Sequence, residues 1–374
     1  MNKKVIVANF IGNALEFFDF TLCGVFMATL SRLFFPSSNP TLSVFAGIFA
    51  FSAAFYTRPI GALLFGYLGD KYGRKKILLM TVFLMGIPTF MIGILPSYDQ
   101  IGMIAPFVLI ACRLLQGLCT GGEYNGAAIF ALEHVQKERP GLVSGLISSS
   151  CVVGALLATL IGGLFLYEGA PSWFWRVPFI FGACVSVAGY FLRRYTFETH
   201  EFLQAQGVTT VKEKVSIPYK GYAKPFVVSV AVGAFNGALS YTLFGFLTLY
   251  LTQFVGFHML KGIWCTVVGL IAFGGACVLF GAYGDRLGER KAITYATYLA
   301  YVLVFPAFFL LNQPSLVAVL VGQILLGCLV GNFVGVTHFF LQSLFPVHMR
   351  YKGVAFGFCL GMTLTGGTTA MLLT

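Results

Sequence analysis

Two acidic side chains stand near the middle of the first long apolar stretch of the sequence. Glu16 and Asp19 are three residues apart, so an α-helix places them on one face. A charged side chain at the centre of a lipid bilayer costs about 2.5 to 3.5 kcal/mol, so it needs a partner, a water-filled cavity or a function. Two acids in one low-dielectric site disfavour the doubly ionised state. The spacing therefore predicts reversible proton uptake.

Further charges interrupt the apolar stretches that follow. Arg58 lies in the second stretch, and Arg113 and Glu123 lie in the fourth, with Gln116 on the same side of the helix. We expect the two arginines to neutralise some of the acids, so that an acid that loses its partner accepts a proton. The competing interpretation is a permanent buried salt bridge that only fixes helix packing.

The overall composition shows why these charges stand out. The 374 residues are 58% hydrophobic and only 10% charged, and their mean hydropathy is +0.85. These values exclude a water-soluble enzyme, a nucleic-acid-binding module and a disordered scaffold. The nine cysteines occur singly within apolar stretches, without a C-x-x-C pair, and are interpreted as small core residues. We therefore expect no metal site, and no cofactor apart from a coupling proton.

Apolar windows long enough to cross a bilayer recur along the whole sequence. A hydrocarbon core of about 30 Å requires about 20 helical residues. The windows are continuous, whereas the strands of a barrel would alternate in polarity with a period of two. An all-α integral membrane protein with eleven spans is therefore predicted. These spans lie near residues 5–33, 41–68, 77–95, 103–131, 142–167, 174–192, 225–254, 262–284, 292–311, 316–344 and 353–374.

The basic residues are distributed unevenly between the two sides of these spans. If the N-terminus is cytoplasmic, all but five of the 24 lysines and arginines fall in or beside cytoplasmic segments. Positively charged loops are typical of the cytoplasmic side. The sequence thus predicts a multi-pass protein with a cytoplasmic N-terminus.

Self-similarity indicates two related halves. The loop GDKYGRKK at 69–76 recurs as GDRLGERK at 284–291, and the pattern R-x3-G-x3-G that begins at Arg113 recurs as Q-x3-G-x3-G from Gln323. The offset of about 210 to 215 residues predicts two six-helix bundles.

These repeats define the expected domains. We place the bundles at 1–195 and 223–374 and a cytoplasmic linker at 196–222, which either contains short amphipathic helices or is simply solvated. The second bundle is one span short of the first, so a twelfth helix is expected beyond Thr374.

The second half contains amides, hydroxyls and His338, but no charge deep within a span. Gln323 stands there in the place of Arg113. We therefore expect ion coupling to reside in the first half, while the second half completes a solute pocket. His338 is interpreted as a packed, neutral histidine.

The segment GYLGDKYGRK at 66–75 resembles the inter-helix signature of the major facilitator superfamily, G-x-L-x-D-x-x-G-R-[RK]. The resemblance implies that Asp70 and Arg74 belong to a cytoplasmic latch. In the second copy Glu289 occupies the position of Arg74, which leaves Arg290 as the expected basic member. The implied gate residues are Gly66, Asp70, Gly73, Arg74, Asp285 and Arg290.

Several blocks narrow the resemblance to the metabolite:proton symporter family, nearest to its proline/glycine-betaine branch. They are GNALEFFDF at 12–20, Arg58-Pro59, QG at 116–117 with GGEY at 121–124, and WRVPF at 175–179. The similarity implies a major facilitator fold of two six-helix bundles, alternating access and proton-driven uptake across a bacterial inner membrane. Phe17 departs from the family's usual tryptophan, and the segment 197–202 lacks its usual proline.

These arguments together predict a proton-coupled symporter that imports a small polar metabolite with a carboxylate, either a proline- or betaine-like zwitterion or an organic acid. An exporter of the same fold is the alternative, whereas a channel and a membrane enzyme are disfavoured. We expect a monomer whose partners are the solute and the bilayer, without nucleic acid. Proton coupling is assigned to Glu16, Asp19 and Glu123, and substrate binding to Asn13, Arg58, Arg113, Gln116, Tyr124, Asn236, Tyr241, Gln323 and Asn332.

Overall fold

The computed structural model describes residues 3–135, 138–165, 171–199, 202–204, 221–247, 250–251 and 255–372. Over these ranges the chain is built from α-helices, and none of the described residues is in a β-strand. Most of the linker predicted at 196–222 lies outside the described residues. The helices are α1 Lys3–Val25, α2 Met27–Phe34, α3 Pro40–Tyr72, α4 Arg74–Ile94, α5 Tyr98–Ile101, α6 Ile104–Val135, α7 Pro140–Phe165, α8 Arg176–Arg194, α9 Ala223–Tyr241, α10 Met259–Leu287, α11 Glu289–Leu311, α12 Leu316–Ser343 and α13 Arg350–Leu372.

The predicted all-α membrane architecture is confirmed. Among the described residues, ten helices are long and apolar enough to cross a bilayer. The 23-residue helix α13 lies where the eleventh span is predicted. Large apolar side chains such as Phe305 and Phe309 on α11 face outward, as expected of a surface that contacts lipid.

Two predicted spans differ in detail from the observed helices. The span predicted at 5–33 is divided at Phe26 into α1 and α2. In the span predicted at 225–254, the α-helix that ends at Tyr241 is followed by a π-helical turn, Thr242–Phe246, after which Leu247, Tyr250 and Leu251 are again α-helical. Such turns occur frequently at functional sites, and hydropathy alone carries no signal for them.

Each half packs mainly within itself, and two helix pairs join the halves. In the first half α3 packs on α6, α1 on α7, and α4 on α8; in the second half α10 packs on α12 and α9 on α13. The contacts between halves are chiefly α7 with α10 and α3 with α13. Each of these pairs takes one helix from each half, so the polar side chains on them can meet at the interface.

Glycine makes the close α3–α6 crossing possible. A Cβ at Gly117 would overlap the backbone carbonyl of Ala54, and a Cβ at Gly61 would overlap that of Leu118. Small residues at such crossings let two backbones approach. The crossing holds Arg58 of α3 beside Gly121 of α6.

Candidate transport site and gate

Arg58 extends from the first half to the second. It is only 2% exposed, and its guanidinium carbon lies 4.4 Å from the ring centroids of both Phe20 and Phe55. Its Nη1 donates a hydrogen bond to the Tyr241 hydroxyl at 3.1 Å, at the end of α9. Its Nε and Nη2 have no partner among the described residues. Two donors of a buried cation are therefore left for another acceptor.

Arg113 is also buried. Its Nη1 donates to Gln116 Oε1 at 2.8 Å, and its Nη2 donates to the Phe51 carbonyl at 3.2 Å. The guanidinium lies 4.9 Å from the ring centroids of Phe20 and Phe51. Within the described residues neither Arg113 nor Arg58 forms an ion pair with the predicted acids. Aromatic rings instead provide their cation–π environment.

Asp19 is held by hydroxyl groups. Its Oδ2 accepts hydrogen bonds from Ser186 at 2.9 Å and from Thr89 at 3.4 Å. The Thr89 hydroxyl in turn accepts from Gln116 Nε2 at 2.9 Å. A chain of polar contacts thus runs from Arg113 through Gln116 and Thr89 to Asp19, entirely within the first half.

Glu123 has a partner that the sequence analysis missed. It forms an ion pair with Arg193, near the end of α8, and both side chains are buried. The expectation that Arg58 and Arg113 neutralise some of the acids therefore does not hold for Glu123, whose partner is Arg193. Arg193 follows the span predicted at 174–192, so the sequence predicts that it lies on the cytoplasmic side. Its side chain instead extends into the bundle, where Gly12 of α1 leaves space for the guanidinium.

Glu16 lies close to this ion pair but outside it. The side chain is 4% exposed and stands in the electrostatic field of Glu123, Arg193 and Arg58. The Thr120 hydroxyl is also near, yet neither carboxylate oxygen meets hydrogen-bond geometry with a described residue. Unpartnered buried carboxylate oxygens are rare in proteins, so the position of Glu16 calls for a functional explanation.

Tyr124 meets the second half through an aromatic cluster. Its ring is in edge contact with Phe17 at 5.5 Å and with His338 at 4.7 Å, and it lies 5.9 Å from Phe358. His338 is buried as expected, but both ring nitrogens lack a partner among the described residues. Its place on the apolar helix α12 made it resemble a core residue, so the sequence analysis did not include it in the site.

The amides of the second half are buried. Gln323 is fully buried, and neither its oxygen nor its nitrogen has a partner among the described residues. Asn236 accepts a hydrogen bond from Ser240 but has no acceptor for its own NH2 group within the described chain. Asn332 is buried as well. These groups leave hydrogen-bonding capacity in the half that is predicted to complete a solute pocket.

Asn13 has a different position from the one predicted. Its NH2 group donates to Ile147 O at 3.1 Å and to Ser150 Oγ at 2.8 Å, both on α7. These donors are used to pack α1 on α7 within the first half. The structure therefore assigns Asn13 to helix packing.

The predicted gate residue Asp70 joins the two halves. Its carboxylate accepts the backbone N–H of Tyr351 at 3.3 Å and of Lys352 at 2.9 Å, in the first turn of α13. A carboxylate at a helix N-terminus is favoured by the helix dipole. Arg74 lies 3.2 Å from Asp70 and donates to the Val347 carbonyl at 2.7 Å. The loop between α3 and α4 therefore holds the start of α13, and Gly66 leaves space for its backbone.

The second copy of the motif makes the reciprocal contact. Asp285 accepts the backbone N–H of Gly141 at 2.5 Å and of Leu142 at 3.0 Å, in the first turn of α7. Gly73 and Gly288, which precede α4 and α11, have φ of 107° and 79°, a conformation that favours glycine. Arg290 is exposed and forms no ion pair among the described residues, so its predicted gate role is not supported. We call the end of the molecule that carries both loops the gate face, and it is closed.

Glu133 strengthens this closure and was missed. It is buried at the gate end of α6, 3.4 Å from Arg74 and 3.1 Å from Arg350. Since Arg350 belongs to the second half, Glu133 links the halves beside Asp70. Its position next to the charged segment after α6 made it look like a loop residue.

Comparison with known proteins decides the family. The protein-family model described as "Major Facilitator Superfamily" matches residues 10–370 of this chain. The chain belongs to the major facilitator superfamily. It is 31% identical to the proline/betaine transporter of Escherichia coli (strain K12), covering 99% of this chain and 77% of that protein. It is 34% identical to a putative proline/betaine transporter of Staphylococcus aureus (strain COL), covering 100% of this chain and 81% of that protein.

Solved structures of the superfamily show the same fold. The proton:xylose symporter XylE, bound to 6-bromo-6-deoxy-D-glucose, superposes with a TM-score of 0.80 at 15% identity, over 99% of this chain and 87% of that one. The human organic anion transporter MFSD10 gives a TM-score of 0.69 at 14% identity. This major facilitator protein is a multi-pass solute transporter, not an enzyme, and the resemblance found in the sequence is confirmed.

Proposed function

We propose that this protein is a proton-coupled symporter that imports a small polar metabolite bearing a carboxylate, by alternating access across the bacterial inner membrane. The observation that carries the proposal is Arg58. A buried guanidinium with no ion-pair partner among the described residues and two unused donors requires an anion. Guanidinium groups bind carboxylates with two parallel hydrogen bonds, so a substrate carboxylate fits this position.

The location of Arg58 connects binding to movement. Its hydrogen bond to Tyr241 spans the two halves, so a carboxylate bound there would touch both. Alternating access requires a site at the interface about which the halves rock. The relatives named as proline/betaine transporters support a zwitterion of that class, and a simple organic acid has the same anionic group.

The charges around the site support proton coupling. Glu16 and Arg58 interact electrostatically, and their opposite charges compensate each other when no substrate is bound. A substrate carboxylate on Arg58 removes that balance, so Glu16 is left as an isolated negative charge in a low-dielectric interior. A proton on Glu16 restores neutrality. Substrate and proton therefore favour each other's binding, which is the requirement of a symporter.

The orientation follows from the gate face. Its two loops carry Lys71, Arg74, Lys75 and Lys76 in one copy and Arg286, Arg290 and Lys291 in the other. The positive-inside rule assigns this face and the N-terminus to the cytoplasm. The closed gate face then represents a state in which the cytoplasmic path is shut.

Transport into proteoliposomes tests this function. With an acidic exterior and a neutral interior, we expect radiolabelled proline or glycine betaine to accumulate, and an ionophore that removes the gradient to abolish accumulation. Arg58→Gln should lose uptake of either solute, while Arg32→Gln, which alters an arginine near the end of α2, should retain it. Efflux driven by the gradient would identify an exporter, and gradient-independent accumulation would contradict proton coupling.

A further inference from the structure

Three buried charged groups meet where α1, α6 and α8 pack together. Arg193 of α8 is 3% exposed and forms an ion pair with Glu123 of α6, which is 1% exposed. A Cβ at Gly12 of α1 would lie 2.5 Å from Arg193 Nε, so a larger residue there would displace the guanidinium. Glu16 follows Gly12 by one helical turn on α1. Two carboxylates thus share the neighbourhood of one guanidinium.

The cluster contains two acidic groups and one basic group, so its charges do not cancel when both acids are ionised. With both acids ionised the three groups carry a net charge of −1, and an uncompensated buried charge is costly. Glu123 has Arg193 as a partner, whereas Glu16 has no hydrogen bond from a described residue. The excess negative charge therefore resides on Glu16.

Of the other titratable groups around the cluster only Arg58 alters this count, because it balances Glu16 until a substrate carboxylate binds to it. Around Glu16 they are Arg58 of α3, Cys119 of α6, Cys151 of α7 and Cys359 of α13. Tyr351 of α13 interacts electrostatically with Glu123, and Thr81 of α4 places its hydroxyl near the Glu123 carboxylate. Thiols and phenols of this kind are neutral near pH 7. Asp19, three residues after Glu16, is already bound by Ser186 and Thr89.

We propose that Arg193 is a positioning residue that holds Glu123 as a permanent counter-ion and thereby leaves Glu16 as the single carboxylate that binds and releases the transported proton. The inference rests on the proposed function and makes it more specific. The proton moves from external water to the Glu16 carboxylate when a substrate carboxylate occupies Arg58, and it leaves to the cytoplasm when the substrate does. One proton accompanies each carboxylate.

Partner exchange provides the test. In Glu123→Gln, Arg193 loses its acid and turns to Glu16, which then stays ionised. We expect gradient-driven accumulation of proline or glycine betaine to fall by about tenfold or more, while exchange of internal for external solute persists, because coupling is lost and binding is retained. The double variant R193Q/E123Q removes the ion pair as a neutral unit, frees Glu16 again and should recover accumulation. Glu16→Gln should behave like Glu123→Gln.

Controls separate this role from a structural one. Arg194→Gln changes the exposed neighbour of Arg193 and should leave accumulation unchanged, and Arg193→Lys keeps the charge and should keep coupling. A purely structural ion pair would lower the unfolding temperature in the single variants and would affect exchange and accumulation equally. A dye that reports internal pH measures proton entry with the solute, and the expected ratio is close to one.

Two results would overturn the inference. Full accumulation in Glu123→Gln or in Glu16→Gln would show that Glu16 is not the acid that exchanges the proton. If R193Q/E123Q exchanges solute but does not recover accumulation, Arg193 does more than neutralise Glu123. If the unaltered protein itself accumulates neither solute under a pH gradient, the proposed function fails as well. If the unaltered protein accumulates solute and Glu123→Gln does so equally, only the inference fails.

Discussion

At the residue scale, the candidate site contains arginines that have no carboxylate partner among the described residues. Arg58 and Arg113 share the ring of Phe20 and are surrounded by aromatic side chains. Cation–π contacts stabilise a guanidinium without neutralising it, so its charge stays available to a ligand. The acids are separated from these arginines, with Asp19 bound by hydroxyls and Glu123 by Arg193. In the proposed mechanism, this separation lets the substrate and the proton bind to different groups whose charges act on each other.

Tyr241 gives a prediction at this scale. Its hydroxyl accepts a hydrogen bond from Arg58 across the two halves, and Tyr241→Phe removes only that acceptor. A hydrogen bond to a charged group contributes about 1.5 to 3 kcal/mol, so we expect the KM for a carboxylate solute to rise by about tenfold or more. Uptake kinetics measure this change. Tyr283→Phe, at an exposed tyrosine of α10, is the matched control, and an unchanged KM in Tyr241→Phe would contradict the assigned position of Arg58.

At the scale of helices, glycine determines which elements can approach. The α3–α6 crossing brings Arg58 close to α6 and depends on Gly61 and Gly117, whose positions face the partner backbone. Hydropathy shows that these segments cross the membrane, but the side on which a small residue lies determines how they pack. The π-helical turn after Tyr241 likewise alters the end of α9.

Substitution at the crossing tests its importance for stability. In Gly117→Ala the added methyl group meets the backbone of Ala54, which a rotamer change cannot relieve. We expect a loss of about 1 to 3 kcal/mol and a lower unfolding temperature in detergent, measured by thermal unfolding. Gly275→Ala is the matched control because nothing lies within 4 Å of its added Cβ. Equal unfolding temperatures for the two variants would contradict the close crossing.

At the scale of the whole molecule, the two repeats close the gate face by reciprocal helix capping. Asp70 of the first half binds the start of α13, and Asp285 of the second half binds the start of α7. Glu133 and Arg350 add a direct ion pair between the halves. The closed state is thus stabilised by a few contacts at one end, and breaking them shifts the equilibrium towards opening.

Loss of the Asp70 charge should open the gate face. The buried Cys359, whose thiol contacts the Gly121 carbonyl of the other half, reports the opening through its rate of labelling by a polar maleimide. Since a carboxylate at a helix N-terminus contributes about 0.3 to 2 kcal/mol, we expect Asp70→Asn to raise this rate by about 2- to 30-fold. Site-resolved mass spectrometry distinguishes Cys359 from the exposed Cys184. Asp99→Asn, an exposed acid on α5, should not change the rate, and a rate unaffected by Asp70→Asn would exclude Asp70 as a latch.

Much of the architecture follows from the sequence alone. Hydropathy predicts the membrane helices because about 20 apolar residues are needed to cross the bilayer, wherever they pack. The repeated loops predict the two halves and both capping aspartates, because those glycines and aspartates act through local backbone geometry. The buried acids Glu16 and Asp19 are recognisable in the sequence because charge inside a long apolar helix is expensive.

Which side chains form ion pairs and contacts with each other depends on how the helices pack. Glu123 and Arg193 are 70 residues apart in the chain, and their pairing depends on how α6, α1 and α8 pack, which no local pattern encodes. The same reason explains why Asn13 binds α7, why His338 contacts Tyr124 and why Arg290 remains exposed. Residue types and their hydrophobic context are enough to show which charges enter the membrane, because the cost of burial depends on them. Which of these charges neutralise each other depends on distances between helices that are remote in the chain, and only the folded arrangement fixes those distances.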